Sequence, residues 1–146
     1  MPYRLSSTGR ARRETLHPDL QLIVDELLEE VDFTLICAHR TQAEQDKSVA
    51  DGVSKTPWPR SKHNAYPSEA MDIAPYFKEL GGIDWEDIPA IANLVGRAQS
   101  IAHRLLREGK IRCELRWGGD WDGDGRTRDQ GFMDYVHLER VPLPED

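Results

Sequence analysis

The chain has 146 residues, of which 38% are hydrophobic and 31% charged, and its formal charge is −7. That length suits one domain with its own apolar core, and the composition is neither that of a disordered chain nor that of a membrane-embedded one. The negative balance argues against a general nucleic-acid binder, which presents a basic face, and no apolar run approaches the roughly 20 residues needed to span a bilayer.

The chain opens on MPYRLSSTGRARRE, a basic stretch carrying Arg4, Arg10, Arg12 and Arg13. No apolar core follows it, so it is not a secretory signal. Residues 1–15 read as a loose basic arm on a single domain spanning 1–146. The protein is therefore expected to be made in a cytoplasm and not to export itself by the usual route. HPDLQLIVDELLEEV then reads as a helix with Pro18 in its first turn, where a missing N–H costs nothing. Its apolar face is Leu20, Ile23, Val24, Leu27 and Leu28.

FTLICA (33–38) is β-branched and aromatic enough for a buried strand. Thr41 and Glu44 form a T-x-x-E capping box, which starts a second helix just after Arg40, and Gly52 ends it. Residues 53–69 hold Pro57, Pro59 and Pro67 and read as a long surface loop. AMDIAPY (70–76) is a short strand stopped by Pro75. A long helix runs from about Ile88 to Glu108, with Ile91, Leu94, Val95, Ala98, Ile101, Ala102 and Leu105 at helical spacing and Gly109 as its cap. CELRW (113–117) and MDYVHLE (133–139) complete the set as strands. Without strict βαβ alternation, the class is α+β, a small and mainly antiparallel sheet flanked by helices. Cys37 and Cys113 fall in strands outside any C-x-x-C pattern, which predicts a reduced, buried pair.

Three of the five histidines read as structural: His17 opens a helix, His103 lies mid-helix and His39 precedes Arg40. His63 and His137 differ, because His63 ends the Pro-rich loop just before the strand carrying Asp72, and His137 lies in the last strand, three residues after Asp134. Two imidazoles and one carboxylate from separate segments form a three-ligand set for a catalytic zinc, with one position left for water. Neutral imidazoles keep the ion electrophilic, and the water's pKa falls from 15.7 toward roughly 7. A further carboxylate beside that water can carry its proton to a leaving amine, and Asp134 is placed for that.

Between these elements, Asp120, Asp122, Asp124 and Gly125 match the start of a calcium loop, D-x-D-x-D-G. Position twelve is Gly131 rather than a bidentate Glu, so a full EF-hand loop is excluded, although Asp129 at position ten can partly substitute. Weak Ca²⁺ binding and a plain acidic turn are both open readings of this stretch.

The order S-x-H (Ser61, His63), A-x-D (Ala70, Asp72), W-G-G (Trp117 to Gly119) and D-x-x-H-x-E (Asp134, His137, Glu139) resembles zinc peptidases of the D-Ala-D-Ala carboxypeptidase type. Within them it is most similar to the phage L-alanyl-D-glutamate endopeptidases, which act as endolysins. HPDL (His17 to Leu20), AHRTQAEQ (Ala38 to Gln45) and SKTPWPRSKHN (Ser54 to Asn64) extend the likeness from about residue 16 to 139. The resemblance implies a Hedgehog/D-Ala-D-Ala-peptidase-like fold and Zn²⁺ held by His63, Asp72 and His137. It further implies Asp134 as general base and Arg40 on the substrate carbonyl or carboxylate, with Ser61 a further substrate contact.

It also implies a monomer that acts on bacterial peptidoglycan, with no nucleic-acid partner and no membrane insertion, reaching the wall from the host cytoplasm after release. A D,D- or L,D-carboxypeptidase is the alternative within the same chemistry. A non-catalytic metal-binding wall module is the alternative outside it, and the presence of Asp134 beside all three ligands argues against that. The chain departs from the family pattern at three points. His63 and Asp72 are nine apart where seven is common, and His39 stands where Tyr is common. Asp134 and His137, three apart, face opposite sides of a regular strand, so a bulge or an early break in pairing is required for both to serve one site.

Overall fold

In the computed structural model, which describes residues 2–144, four strands make one sheet in the order β1-β2-β4-β3. They are β1 (Phe33–Cys37), β2 (Ala70–Pro75), β3 (Cys113–Gly118) and β4 (Asp134–Pro142), and every pairing is antiparallel. The helices are α1 (Ser7–Arg13), α2 (Pro18–Leu28), α3 (Gln42–Ala50) and α4 (Ile88–Arg107), with a 3-10 turn at Lys62–Asn64. The α+β class read from the sequence is the observed one.

One sheet face makes the core. Leu35, Met71, Ile73, Cys113, Leu115 and Leu138 meet the apolar stripes of α2 and α4, and all are buried. Because strand side chains alternate, the face opposite Met71 and Ile73 carries Asp72, and the face opposite Leu138 carries His137 and Glu139. Asp72 and His137 are direct cross-strand partners. Full burial of a Leu or Ile contributes about 1.5–3 kcal/mol, so the core face anchors the register that brings the polar face together.

Helix ends follow local chemistry. Thr41 and Glu44 close the capping box on α3 in both directions. Gly52 and Gly109 follow α3 and α4 with φ of +76° and +74°, the left-handed region open to glycine. His17 caps α2, its Nδ1 accepting from the Asp19 N–H at 3.0 Å.

Two expectations change. The basic start is a helix, not a loose arm: Ser6 caps it, Leu5 is buried in the core, and Arg13 makes a two-pronged pair with Asp25 at 2.8 and 2.6 Å. Arg12 also reaches across to the Leu35 carbonyl at 3.0 Å. The cysteines are both free, but only Cys113 is buried. Leu35 pairs with Ile73 and Cys37 with Asp72, a bulge that places two steps of β1 against one of β2. The extra residue reverses the facing of Cys37, so it leaves the core side for the side of Asp72.

Candidate active site and metal centre

The polar face of the sheet assembles a triangle. His63 Nε2, Asp72 Oδ1 and His137 Nδ1 lie 3.2 Å from one another on all three sides. His63 arrives from the 3-10 turn, whose cap is the Ser61 hydroxyl accepting the His63 N–H at 3.2 Å. The three side chains are nearly buried, at 3%, 8% and 7% relative exposure, and they line one wall of a cleft of about 510 Å³.

Each imidazole is oriented by its other nitrogen. His63 Nδ1 is 2.7 Å from the Ala38 carbonyl oxygen, which can only accept, so Nδ1 carries the proton and Nε2 points its lone pair into the triangle. His137 Nε2 is 3.0 Å from a Glu139 carboxylate oxygen, which leaves its Nδ1 lone pair facing the same point. Glu139 is itself held by Arg116 at 2.7 Å. Partners of this kind fix ring orientation and raise ligand basicity.

Electrostatics follow the same arrangement. Burial opposes charging of His63, but the charge of Asp72 and its hydrogen bond prevail and hold the imidazole up at about 10. His137 is held at about 9 against burial by hydrogen bonds to Asp72 and Glu139. Burial likewise opposes ionisation of Asp72 and is overcome by the two histidines, which keep its carboxyl far below the usual range. Glu139 is brought to about 2, against burial, by His137 and Arg116. The contacts that favour proton binding by the imidazoles mean that a divalent ion binds here in competition with protons.

Asp134 joins this group through a second bulge. Trp117 pairs with Leu138, but the next residue, Gly118, pairs with Asp134, so one step on β3 answers four on β4. The irregularity removes the strand-parity conflict. A carboxylate oxygen of Asp134 lies within 4.8 Å of the ligand atoms of Asp72 and His137. Desolvation, then the charge of Asp72, raises its pKa. Gly118 makes the approach possible, since a Cβ there would collide with the Asp134 carbonyl oxygen, and a Cβ on Gly119 would enter the Trp117 ring. Trp117 in turn donates its indole N–H to the Tyr135 carbonyl at 2.6 Å, fastening the bulge.

Arg40 lines the cleft with its side chain only 12% exposed and NH2 3.7 Å from Asp72 Oδ2. Its NH1 donates to Gln45 Oε1 at 2.9 Å. Gln45, fully buried on α3, also accepts from Asn64 at 3.1 Å and donates to the Ser54 hydroxyl at 3.0 Å and the Thr56 carbonyl at 2.6 Å. One amide therefore joins Arg40, the turn of His63 and the loop over the cleft. Neither Gln45 nor Glu139 receives a role from sequence spacing alone. The only signals are the Gln five residues after Arg40 and the Glu two after His137.

The acidic loop stands apart from this face. Asp120, Asp122 and Asp124 bring oxygens within 4.8 Å of one another, but they are mostly exposed and their oxygens fold back on local backbone. Asp120 accepts from the Gly125 N–H at 2.8 Å, Asp122 from Asp124 at 3.2 Å and Asp124 from Arg126 at 2.8 Å. The other oxygen of Asp120 is buried with no partner among the described residues. Among the described residues of the loop only Trp121, between Asp120 and Asp122, turns toward the site: it stacks on Phe132 at 6.4 Å and lies 5.5 Å from the His137 ring, forming an aromatic wall of the cleft.

The sequence profile of the phage L-alanyl-D-glutamate peptidases matches residues 1–141. The L-alanyl-D-glutamate peptidase of Escherichia phage T5 is 30% identical over 148 aligned positions, covering 97% of this chain and all of that protein. The crystal structure of Serratia marcescens L-Ala D-Glu endopeptidase ChiX shares the fold, with a TM-score of 0.61 at 23% identity over 94% of this chain and 90% of that one.

Proposed function

The chain belongs to the phage L-alanyl-D-glutamate peptidase family, and from that premise we propose that it is a zinc-dependent peptidoglycan endopeptidase cutting between L-Ala and D-Glu. The observation that carries the reading is the 3.2 Å triangle of His63, Asp72 and His137 beside Asp134. A tetrahedral zinc with ligands at about 2.0–2.1 Å has its donors about 3.3–3.4 Å apart, so the residues present fit the ion with shifts of only a few tenths of an ångström. The triangle lines the cleft together with Asp134, and Cys37 is a further donor beside His63 and Asp72.

When bound, zinc supplies Lewis acidity toward the scissile carbonyl and acidifies water. The remaining chemistry belongs to the chain. Asp134, made more basic by desolvation and by the charge of Asp72, takes a proton from the attacking water and delivers it to the departing amine. Arg40 donates N–H groups to the carbonyl oxygen as negative charge develops there, a contribution worth on the order of 3 kcal/mol. Ser61 holds His63 through its cap and borders the same cleft. The aromatic wall of Trp121 and Phe132 limits water on the other side.

Action on the wall as a monomer after release is part of the same reading, and among the described residues no helix is long and apolar enough to cross a membrane. Weak Ca²⁺ binding at Asp120, Asp122 and Asp124 is a second part of the reading, supported by the buried, partnerless oxygen of Asp120. Calorimetric titration of the zinc-loaded protein tests it, and absence of heat up to about millimolar Ca²⁺ excludes it.

Digestion of purified peptidoglycan, with products identified by mass, tests the main reading. Fragments beginning with D-Glu are expected, lost with a chelator and restored by zinc. Release of terminal D-Ala instead identifies a carboxypeptidase.

A further inference from the structure

Resting on the endopeptidase reading, we propose that Lys55, with Arg60 and Lys62 of the same loop, forms a carboxylate-binding subsite that reads the free acid of the residue following the scissile bond. D-Glu has two carboxyl groups. Whichever one continues the peptide, the other stays free and charged within a few bonds of the nitrogen being released. A site that cuts before D-Glu therefore receives an anion on its departing side in every productive complex, and in a cleft that already holds Asp72, Asp134 and Glu139 that anion is repelled unless cations offset it.

The loop over the cleft supplies them. Lys55, Arg60 and Lys62 line the same cleft as the triangle, and all three are exposed. Arg40 in the same cleft is paired with Asp72, while Lys55, Arg60 and Lys62 have no ion pair among the described residues, in a chain of formal charge −7. The backbone that presents Lys55 is held on both sides. Gln45 grips Ser54 and Thr56, the residues flanking it, and Thr56 N–H donates to Ser54 Oγ at 3.1 Å. From that fixed point the side chain reaches to the opposite wall, with Nζ 4.9 Å from the Phe132 ring centroid. A loose surface lysine loses side-chain freedom when it binds an anion. Here the resting contact is a cation–π one, which a carboxylate can share without displacing the ammonium from the cleft. Lys62 is next to His63 in sequence, which places the basic patch on the metal side of the cleft.

The mechanism leaves this role unfilled, because Arg40 is engaged by Gln45 and Asp72 and serves the carbonyl oxygen. The subsite selects for an acid over its amide, a pair of nearly identical size that differs by one unit of charge. The test is a pair of otherwise identical peptides containing L-Ala-D-Glu, one with the free carboxyl of D-Glu intact and one with it converted to the carboxamide, assayed with the zinc-loaded full chain. The acid is expected to be cut with kcat/KM on the order of fivefold to tenfold higher, as for a charge-assisted contact at a partly exposed site. In the combined Lys55→Met, Arg60→Met and Lys62→Met variant that ratio should fall to about one, with Lys110→Met as an unaffected control. The wild-type ratio should also shrink as ionic strength rises from about 0.05 to 0.5 M, a readout independent of any variant's folding. Equal cleavage of both peptides by the wild type, or a preference that survives both the combined variant and salt, overturns the subsite and leaves the endopeptidase standing. Cleavage of neither peptide overturns both.

Discussion

Among the described residues, potential metal ligands gather in two places, the sheet face, where Cys37 and Asp134 flank the triangle of His63, Asp72 and His137, and the acidic loop, and the two are built in opposite ways. In the triangle, each donor's other atoms are already engaged: His63 with a backbone carbonyl, His137 with Glu139, Asp72 with Arg40. The three donor atoms are therefore brought to one point by the fold itself. In the loop the carboxylates satisfy themselves on the backbone a few residues ahead, through turns that Gly123 and Gly125 make at φ of +70° and +85°. One cluster is organised by tertiary structure and the other by local turns. Preorganisation, more than ligand count, separates a reactive centre from a surface on which an ion can settle.

Substituting within each group sharpens the contrast, and the largest effect belongs beside the triangle. Asp134→Asn keeps the shape of the side chain and removes the proton carrier, so kcat should fall by about 10²–10⁴ while bound zinc, read by elemental analysis, stays stoichiometric. Loss of the metal together with activity instead makes Asp134 a ligand and revises its role. Gln45→Leu comes next. It strips partners from Arg40, Asn64 and the Thr56 carbonyl at a fully buried position, and unpaired buried groups cost about 1–3 kcal/mol each. Denaturant unfolding should show a loss of roughly 3 kcal/mol, with kcat falling beyond what the unfolded fraction explains. A full-activity variant separates Arg40 from the hub.

Glu139→Gln is a milder change, because the hydrogen bond to His137 survives and only its charge goes. Zinc affinity in competition with a chelator should drop about 10–100-fold. The corresponding change in the loop, Asp122→Asn, should leave zinc affinity unaltered and stability within about 0.5 kcal/mol. If the two substitutions weaken zinc equally, the contrast between the clusters is broken.

The residues differ in how far the sequence discloses them. The stripes of α2 and α4 and the Thr41–Glu44 box are periodic or local signals, and they match the observed elements. Helix α1 has only seven residues and a single buried one, Gly9, too short to print a stripe, so its arginines dominate the reading. Cys37 and Asp134 both depend on bulges, which shift strand parity without a residue-type signature. The conflict at Asp134 and His137 was nonetheless visible as a spacing three residues long, and Gly118 is the local mark of its resolution. Glu139 and Gln45 act through partners distant in sequence, Arg116 and the loop at Ser54, and a glutamine inside a helix otherwise reads as solvent-facing. Sequence exposes what is local or periodic. Register and convergence come from the packed sheet.

The smallest effect distinguishes the loop's carboxylates from one another. Asp124 is held above the usual range, foremost by the hydrogen bond it shares with Asp129, whereas Asp120 is held below it, with backbone hydrogen bonding from Gly125 overcoming the cost of burial. Carboxyl-carbon resonances followed by NMR through acid titration should therefore give Asp120 the lower midpoint and Asp124 the higher. A raised carboxyl pKa means that the charged form is the disfavoured one, so Asp129→Asn, which removes the neighbouring charge, should bring the Asp124 midpoint down. Saturating Ca²⁺ should do the same in the unsubstituted protein, because a cation favours the ionised form of every ligand it touches. If Ca²⁺ leaves the Asp124 midpoint where it was while zinc still binds at the triangle, the loop is an acidic turn and the sheet carries the cation chemistry alone.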